Sequence, residues 1–364
     1  MTSGSEIFTL ISTSIMFLIF TLITIIIYNF LLVLIEWNRV DISISQIQED
    51  ARKLAEKYGY LPYMVQRYIQ FLGLDDTLKL LKANEQPLTP SIRVNTLKIS
   101  VLELKNRLEK KGFELEQIDW VPNGFKVIKE ASNLGSSHEF LQGYYYLQNI
   151  ASMLSAVILD PKPNDIVIDM CAAPGSKSTH LAQLMGNNGT LVLIDKNKNR
   201  IPALETNLRR MGIINSILLN IDAINLPNLK VKANKILLDA PCTGEGLIRQ
   251  DPSRKVSKKM KDIEKMASIQ KKLLKAGLNS LKSKGVLLYC TCSIAPEENE
   301  LVVNEVVEKI DNFSISEISK NYGVNGLTEV FGIKLLEDLK FSQRLYPHIH
   351  DTIGFYFCLI KNLD

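Results

Sequence analysis

Hydrophobic and polar positions divide this chain into regions of different texture. From Ile7 to Ile35 no charged residue occurs, and most side chains are Ile, Leu, Phe or Val. At ~1.5 Å rise per residue, a helix of that length exceeds the ~30 Å hydrocarbon core of a bilayer. The run therefore predicts an N-terminal hydrophobic, transmembrane helix over 7–35. A signal peptide fits less well, because there is no basic n-region and no small-residue cleavage site, and the run is too long. Glu6 precedes the run, while Arg39, Arg52 and Lys53 follow it. The positive-inside tendency would leave the rest of the chain in the cytoplasm, anchored by the helix. The competing expectation is an over-extended gene start, with translation beginning downstream.

Residues 41–85 carry helical spacing, with Ile47, Ala51, Leu54, Ala55 and Tyr58 recurring at three and four. Gly73 and the acidic pair after it read as a stop. Over 86–145 the pattern is that of a small α+β module. Ser91 to Leu97 reads as a strand, and Val101 to Lys111 as an amphipathic helix closed by Gly112. Phe113 to Ile118 and Phe125 to Ile128 read as strands around Pro122-Asn-Gly. His138 falls in an expected loop. From 146 to 364, short apolar runs alternate with helical segments. The runs are Ile166-Val-Ile-Asp, Thr190-Leu-Val-Leu-Ile-Asp, Ser216-Ile-Leu-Leu-Asn, Lys235-Ile-Leu-Leu-Asp and Gly285-Val-Leu-Leu-Tyr. That rhythm predicts an α/β fold whose parallel sheet is covered on both faces. Ligands in such sheets bind beyond the carboxyl ends of the strands.

Composition narrows the class only a little. The 364 residues are 46% apolar and 23% charged, with a formal net charge of +4. This is ordinary globular composition apart from the first 40 residues. Five cysteines without framework spacing argue against a secreted disulfide fold and leave thiols free for chemistry.

The strand ends carry the candidate chemistry. After the first expected strand comes Asp169-Met-Cys171-Ala172-Ala173-Pro174-Gly175-Ser176-Lys177. Its small residues let a ligand approach the backbone, and the helix that follows offers free N–H groups. The second strand ends in Asp195, placed to accept from a ribose diol. Asp222 follows the third, placed to receive an adenine amino group, and Asp239 ends the fourth. Three acids at successive strand ends fit a nucleoside with a cationic tail, which is the chemistry of S-adenosylmethionine. Two cysteines lie beyond neighbouring strand ends, in Asp239-Ala-Pro-Cys242 and Tyr289-Cys-Thr-Cys292. A thiolate adding to carbon 6 of cytosine makes an enamine whose carbon 5 can take a methyl group. Lys177 would help to ionise the thiol. Asp239, with a pKa raised by burial, could assist at ring nitrogen 3. Cys242 could act at release, and the target base must leave its stack.

These motifs resemble the Sun/nucleolar-protein (Fmu/RsmB-like) family of RNA cytosine-5 methyltransferases. The match runs from about Ala55 to Lys361. It is carried by Asp169 to Thr179, by Asp239-Ala-Pro-Cys-Thr-Gly-Glu-Gly and by Tyr289-Cys-Thr-Cys-Ser-Ile-Ala-Pro-Glu-Glu-Asn-Glu. Arg93-Val-Asn-Thr-Leu-Lys and the tail Arg344-Leu-Tyr-Pro-His-Ile-His-Asp-Thr-Ile-Gly-Phe support it. The resemblance implies a Rossmann-like class I methyltransferase domain behind a small RNA-recognition-like domain. It implies Cys292 as the attacking thiol, Cys242 as the residue aiding release, and cofactor contacts from residues 171–177, Asp195, Arg200, Asp222 and Asp239. Where many relatives carry Gln-Asp before the catalytic domain, this chain has Gln148-Asn149.

Between Arg249 and Lys284, twelve Lys or Arg face three acids. Lys258, Lys261, Lys265, Lys272 and Lys275 fall at helical spacing, as a phosphate track would require, and Arg249 and Arg254 lie nearest Cys242 in sequence. Tyr144 to Tyr146 offer rings for stacking or for the core. No Cys or His spacing suggests zinc, so no metal is expected. The expected partner is RNA, with tRNA favoured over rRNA. The alternatives are a noncatalytic RNA-binding assembly factor keeping the fold, and a methyltransferase acting on an amino group.

Overall fold

The computed structural model describes residues 46–364. The expected hydrophobic helix at 7–35 lies outside the described residues. Among the described residues no helix is long and apolar enough to cross a membrane. No described helix therefore supplies the expected membrane attachment. The longest described helix, Met260–Leu278, carries five lysines and two acids, a composition that belongs in water.

The chain divides into two compact units, the first ending at Leu74 and the second beginning at Asp75. Helix α1 (46–58) and helix α2 (Pro62–Leu72) belong to the first. Pro62 stands at the start of α2, where its missing N–H is no loss. Gly73, at φ 79°, closes the helix with its N–H on the Ile69 carbonyl. The acidic pair after it does not extend the stop. Asp75 and Asp76 occupy the first turn of α3 (Leu74–Ala83), where the helix dipole favours acids.

The second unit contains two large sheets. The smaller has β1 (Ser91–Val94), β2 (Glu114–Gln117), β3 (Gly124–Lys129) and β4 (Tyr145–Leu147) in the order β2-β3-β1-β4, antiparallel throughout. Helix α4 (Val101–Lys110) is capped by Ser100 and covers one face. Ile92, Val94, Leu104, Leu108, Phe125 and Tyr145 make the core beneath it. His138 opens a short helix, α5 (His138–Leu141), rather than lying in a loop, because Ser137 caps it through the Phe140 N–H.

The larger sheet is built from β5 (Ile166–Asp169), β6 (Thr190–Ile194), β7 (Ser216–Leu219), β8 (Ala233–Asp239) and β9 (Leu281–Thr291), all parallel. The tail adds antiparallel strands: β10 (Phe313–Ser316), β11 (Val324–Asn325), then, after the hairpin β12 (Glu329–Val330) and β13 (Ile333–Lys334), β14 (Gln343–Leu345) and β15 (Phe355–Asn362). The order is β11-β14-β15-β9-β8-β5-β6-β7, with β10 on β15. Helices α6 (Ile150–Leu159), α7 (Ser176–Leu184), α8 (Ile201–Met211), α9 (Arg254–Ser257), α10 (Met260–Leu278), α11 (Glu300–Val307) and α12 (Pro347–His350) complete the unit. Successive side chains of a strand point to opposite faces. Accordingly Val167 enters one hydrophobic core and Ile168 the other. From β5 the chain moves outward through β6 and β7, then returns to β8 on the other side of β5. The carboxyl ends of these strands are therefore a topological switch point, where a crevice opens. This is a Rossmann-like α/β architecture.

One buried ion pair ties the tail to α11. Arg344 donates to Glu300 through Nε (2.5 Å) and Nη2 (2.6 Å), and both side chains are shut off from solvent. Removing one partner strands a charge in the core. Arg344→Met is expected to cost about 3–5 kcal/mol of stability, to be read from urea denaturation.

Candidate active site

Strands β8 and β9 pair in parallel with Asp239 opposite Cys290, so their following loops leave the sheet side by side. Cys242 and Cys292 lie on those two loops, and their sulfurs are 3.0 Å apart. The loops are joined by backbone bonds from Ala240 N to Cys290 O (2.9 Å) and from Gly246 N to Cys292 O (3.0 Å). A Cβ at Gly246 would stand 2.2 Å from the Gly354 carbonyl oxygen, so the approach requires glycine. Contact with Cys292, together with burial, holds the Cys242 thiol well above its ordinary range. Burial does the same to Cys290 and Cys171, whose thiols stay protonated.

The first strand loop delivers the cation. Gly175 sits at φ 103°, where a Cβ would be 2.9 Å from Leu204 Cδ1, and α7 begins at Ser176. This start carries Lys177 inward. Its Nζ donates to Asp239 Oδ2 at 2.7 Å, and it lies 5.4 Å from the centre of the Phe355 ring. Burial works against the Lys177 charge, but the Asp239 carboxylate outweighs it and holds the ammonium above the usual lysine range. Asp239 is thus met as an ion-paired carboxylate whose side chain is 29% exposed. Behind it, Asp169 accepts from Ser178 Oγ at 2.7 Å and from Cys171 N at 3.3 Å. Burial, reinforced by Asp239, raises the Asp169 carboxyl to about 7 despite the Ser178 bond.

Two cavities meet at Cys292. One, of ≈ 490 Å³, is lined by Cys171, Ala173, Asp195, Arg200, Asp222, Asp239, Cys242 and Cys292, among others. The other, of ≈ 380 Å³, is lined by Tyr146, Asn149, Pro174, Ser176, Lys177, Phe355 and Cys292, among others. Both volumes suit small-molecule sites, which run from about 300 to 1,000 Å³. The residues expected as one cofactor set therefore separate. Pro174, Ser176 and Lys177 face the second cavity, and Ala172 is buried with its N–H on the Ile194 carbonyl. Asp195 accepts from Ala173 N (3.1 Å) and Asn197 N (2.8 Å). A carboxylate has lone pairs for further donors. Asp222 caps the turn after β7 through Ile224 N, and Arg200 donates to the Ala173 carbonyl. The carboxylates and small apolar residues that line the first cavity fit the diol, the ammonium and the sulfonium of S-adenosylmethionine.

Several expectations at the rim change. Arg249 is committed to the Gln86 and Pro87 carbonyls and to Asp351. Arg254 holds the Thr243 carbonyl and pairs with Asp251. Both fasten loops. Lys261, Lys265, Lys272 and Lys275 are exposed on α10, whereas Lys258 is half-buried. Tyr145 is a core residue whose OH donates to the Leu134 carbonyl, and Tyr146 walls the second cavity. Sequence reasoning missed Phe355, which lines the second cavity, although it stands inside a motif quoted above. Asn149 caps α6 through Ala151 N and accepts from Thr352 Oγ1 at 3.0 Å. Among the described residues no group of His, Cys, Asp and Glu is arranged to hold a metal.

A family model described as 16S rRNA methyltransferase RsmB/F matches residues 156–361. A second, for the N-terminal domain of 16S rRNA methyltransferase RsmF, matches 61–150. The chain belongs to the RsmB/F methyltransferase family. S-adenosylmethionine is the methyl donor of that family. A tRNA (cytosine(49)-C(5))-methyltransferase of Pyrococcus abyssi is 34% identical over 86% of this chain and 98% of its own length. A mouse 28S rRNA (cytosine-C(5))-methyltransferase is 35% identical over 88% of this chain but 41% of its own. The chain spans about half or less of the length of the eukaryotic rRNA relatives it matches. A crystal structure of a methyltransferase homolog from Pyrococcus horikoshii superposes with a TM-score of 0.79 at 40% identity, covering 87% of this chain and 99% of that one.

Asp169 generates a pH prediction. Its folded-state pKa of about 7 lies above the ordinary ~3.9 of an unfolded aspartate. The stability tied to its neutral form is complete below the unfolded value and is lost as pH rises through the folded one. Asp169→Asn should therefore flatten the decline of stability between about pH 4 and 7, measured by urea melts across that window.

Proposed function

We propose that this chain transfers a methyl group from S-adenosylmethionine to carbon 5 of a cytosine in RNA through a covalent adduct at Cys292. The observation that carries the reading is the position of Cys292 on the wall shared by the two cavities, with Cys242 at 3.0 Å. A base in the second cavity would stand against Cys292, with the first cavity beyond that shared wall. When bound, S-adenosylmethionine supplies the electrophilic methyl group.

The chain's own residues divide the remaining work. Cys292 adds through sulfur to carbon 6, which makes carbon 5 nucleophilic. The Lys177–Asp239 pair stands at the cavity edge, where a proton can be held against ring nitrogen 3. Phe355 and Tyr146 supply ring faces for the flipped base. Cys242, kept protonated, can hydrogen-bond the Cys292 thiolate. After transfer, the carbon 5 proton leaves, the 5,6 double bond re-forms, and the carbon–sulfur bond breaks with its electron pair returning to Cys292. A neighbouring S–H stabilises that departing thiolate. Asp195 and Asp222 are assigned to the adenosine end of the donor, and residues 171–173 and Arg200 to the walls around it.

The RNA itself is assigned to the small antiparallel sheet, read as an RNA-recognition-like domain, and to the exposed lysines of α10. Transfer RNA is the favoured substrate, because a relative named for tRNA matches this chain over 98% of its own length, whereas the eukaryotic rRNA relatives match over about half or less of theirs.

The test is methyl transfer from labelled donor to total RNA. Wild type should yield 5-methylcytosine. Cys292→Ala should fall to background, and Cys242→Ala should trap a protein–RNA adduct on denaturing gels. Normal methylation by Cys292→Ala would sink the nucleophile assignment, and silence of the wild type on every RNA pool would favour a noncatalytic binding factor. Separately, Asp222→Ala should raise the Kd for S-adenosylmethionine about tenfold, equivalent to about 1.4 kcal/mol, as read by titration calorimetry.

A further inference from the structure

We propose that Glu298 is a positioning residue for Cys242, holding that thiol against Cys292 so that the covalent adduct can be resolved. The inference rests on the reading of the site given above. Glu298 follows Cys292 by six residues, and its side chain is fully buried. One carboxylate oxygen accepts from the Thr243 N–H at 2.8 Å and from Gln270 Nε2 at 3.1 Å. The other accepts from Thr243 Oγ1 at 2.5 Å. The same Gln270 amide donates to the Pro241 carbonyl at 2.8 Å. Both neighbours of Cys242 in the chain are therefore pinned, one directly by Glu298 and one through Gln270.

The main chain of Glu298 is fixed as well. Its carbonyl accepts from the Tyr289 hydroxyl at 2.5 Å, which anchors it to β9. A buried carboxylate is costly unless donors satisfy it. Here two of the four donors come from Thr243 beside Cys242, a third comes from Gln270, which also holds Pro241, and the fourth is the Ser293 side chain beside Cys292. The cost of burying Glu298 is thus offset by bonds that define the Cys242 loop. A merely space-filling side chain would leave the Thr243 N–H and hydroxyl without these acceptors. The segment bearing one cysteine supplies the clamp for the loop bearing the other.

The experiment compares wild type, Glu298→Gln, Thr243→Val and Cys242→Ala, each checked first by thermal melting. Diamide joins Cys242 and Cys292 as a disulfide, taking up the two thiol hydrogens as it becomes the hydrazine. Peptide mapping by mass spectrometry follows that closure with neither RNA nor methyl donor present. Glu298→Gln is expected to slow closure about tenfold, and Thr243→Val about threefold. In methylation, Glu298→Gln should leave the first turnover within about threefold of wild type while steady-state turnover falls and the protein–RNA adduct accumulates as it does in Cys242→Ala. Closure at the wild-type rate in folded Glu298→Gln overturns the proposal. So does free turnover without adduct. If Glu298→Gln does not fold, unchanged closure and turnover in Thr243→Val overturn it instead. Slow closure in the variants with no methylation even by wild type supports the positioning and refutes the methyltransfer reading.

Discussion

The arrangement of the site depends on the parallel pairing of β8 with β9. Strands in parallel register send their carboxyl-terminal loops out at the same edge. With Asp239 opposite Cys290, that register sets Cys242 and Cys292 within sulfur contact. A shift of one residue would turn every side chain of β9 to the other face. It would separate the two sulfurs. The bonds from Ala240 and Gly246 to the β9 end, and the glycine at 246 that permits the approach, all reinforce this one ladder.

Charge is concentrated in the space beside it. Lys177 lies between Asp239 and two thiols, with Asp169 behind. The opposing effects of burial and pairing leave groups in unlike protonation states within a few ångströms. A covalent addition followed by elimination requires such a mixture. The small sheet is bound into the same network. Arg93 alternates with Ile92 and Val94 on β1, so it points away from that sheet's core. It donates to Gln148, to the Ser176 carbonyl and to Thr179, holding the start of the helix that carries Lys177. A surface assigned to RNA is thereby rigidly linked to the cation assigned to the base.

The position where this chain has Asn149 shows how a departure is absorbed. The cap on α6 and the bond from Thr352 need only a side-chain oxygen, which asparagine provides. What changes is the second arm of the side chain, an amide where many relatives have a carboxylate, at the wall of the cavity with Cys292 and Lys177.

Local pattern by itself determined much of this protein. Apolar runs of four or five residues separated by amphipathic segments imply a covered parallel sheet, because only that packing buries such runs on both faces. Asp169, Asp195, Asp239 and the two thiols were legible because they stand at strand ends, where such folds bind ligands. The antiparallel tail was not resolved into strands, since Phe355–Asn362 reads as any short apolar run until its partner β9 is known. Tertiary structure alone decided the finer allocation. It divided residues 171–177 between two cavities, turned Arg249 and Arg254 from free cations into loop fasteners, paired Asp239 with Lys177, and brought Glu298 to the Cys242 loop. Each of these depends on contacts between residues far apart in the chain, and periodicity carries no record of which distant donor meets which acceptor.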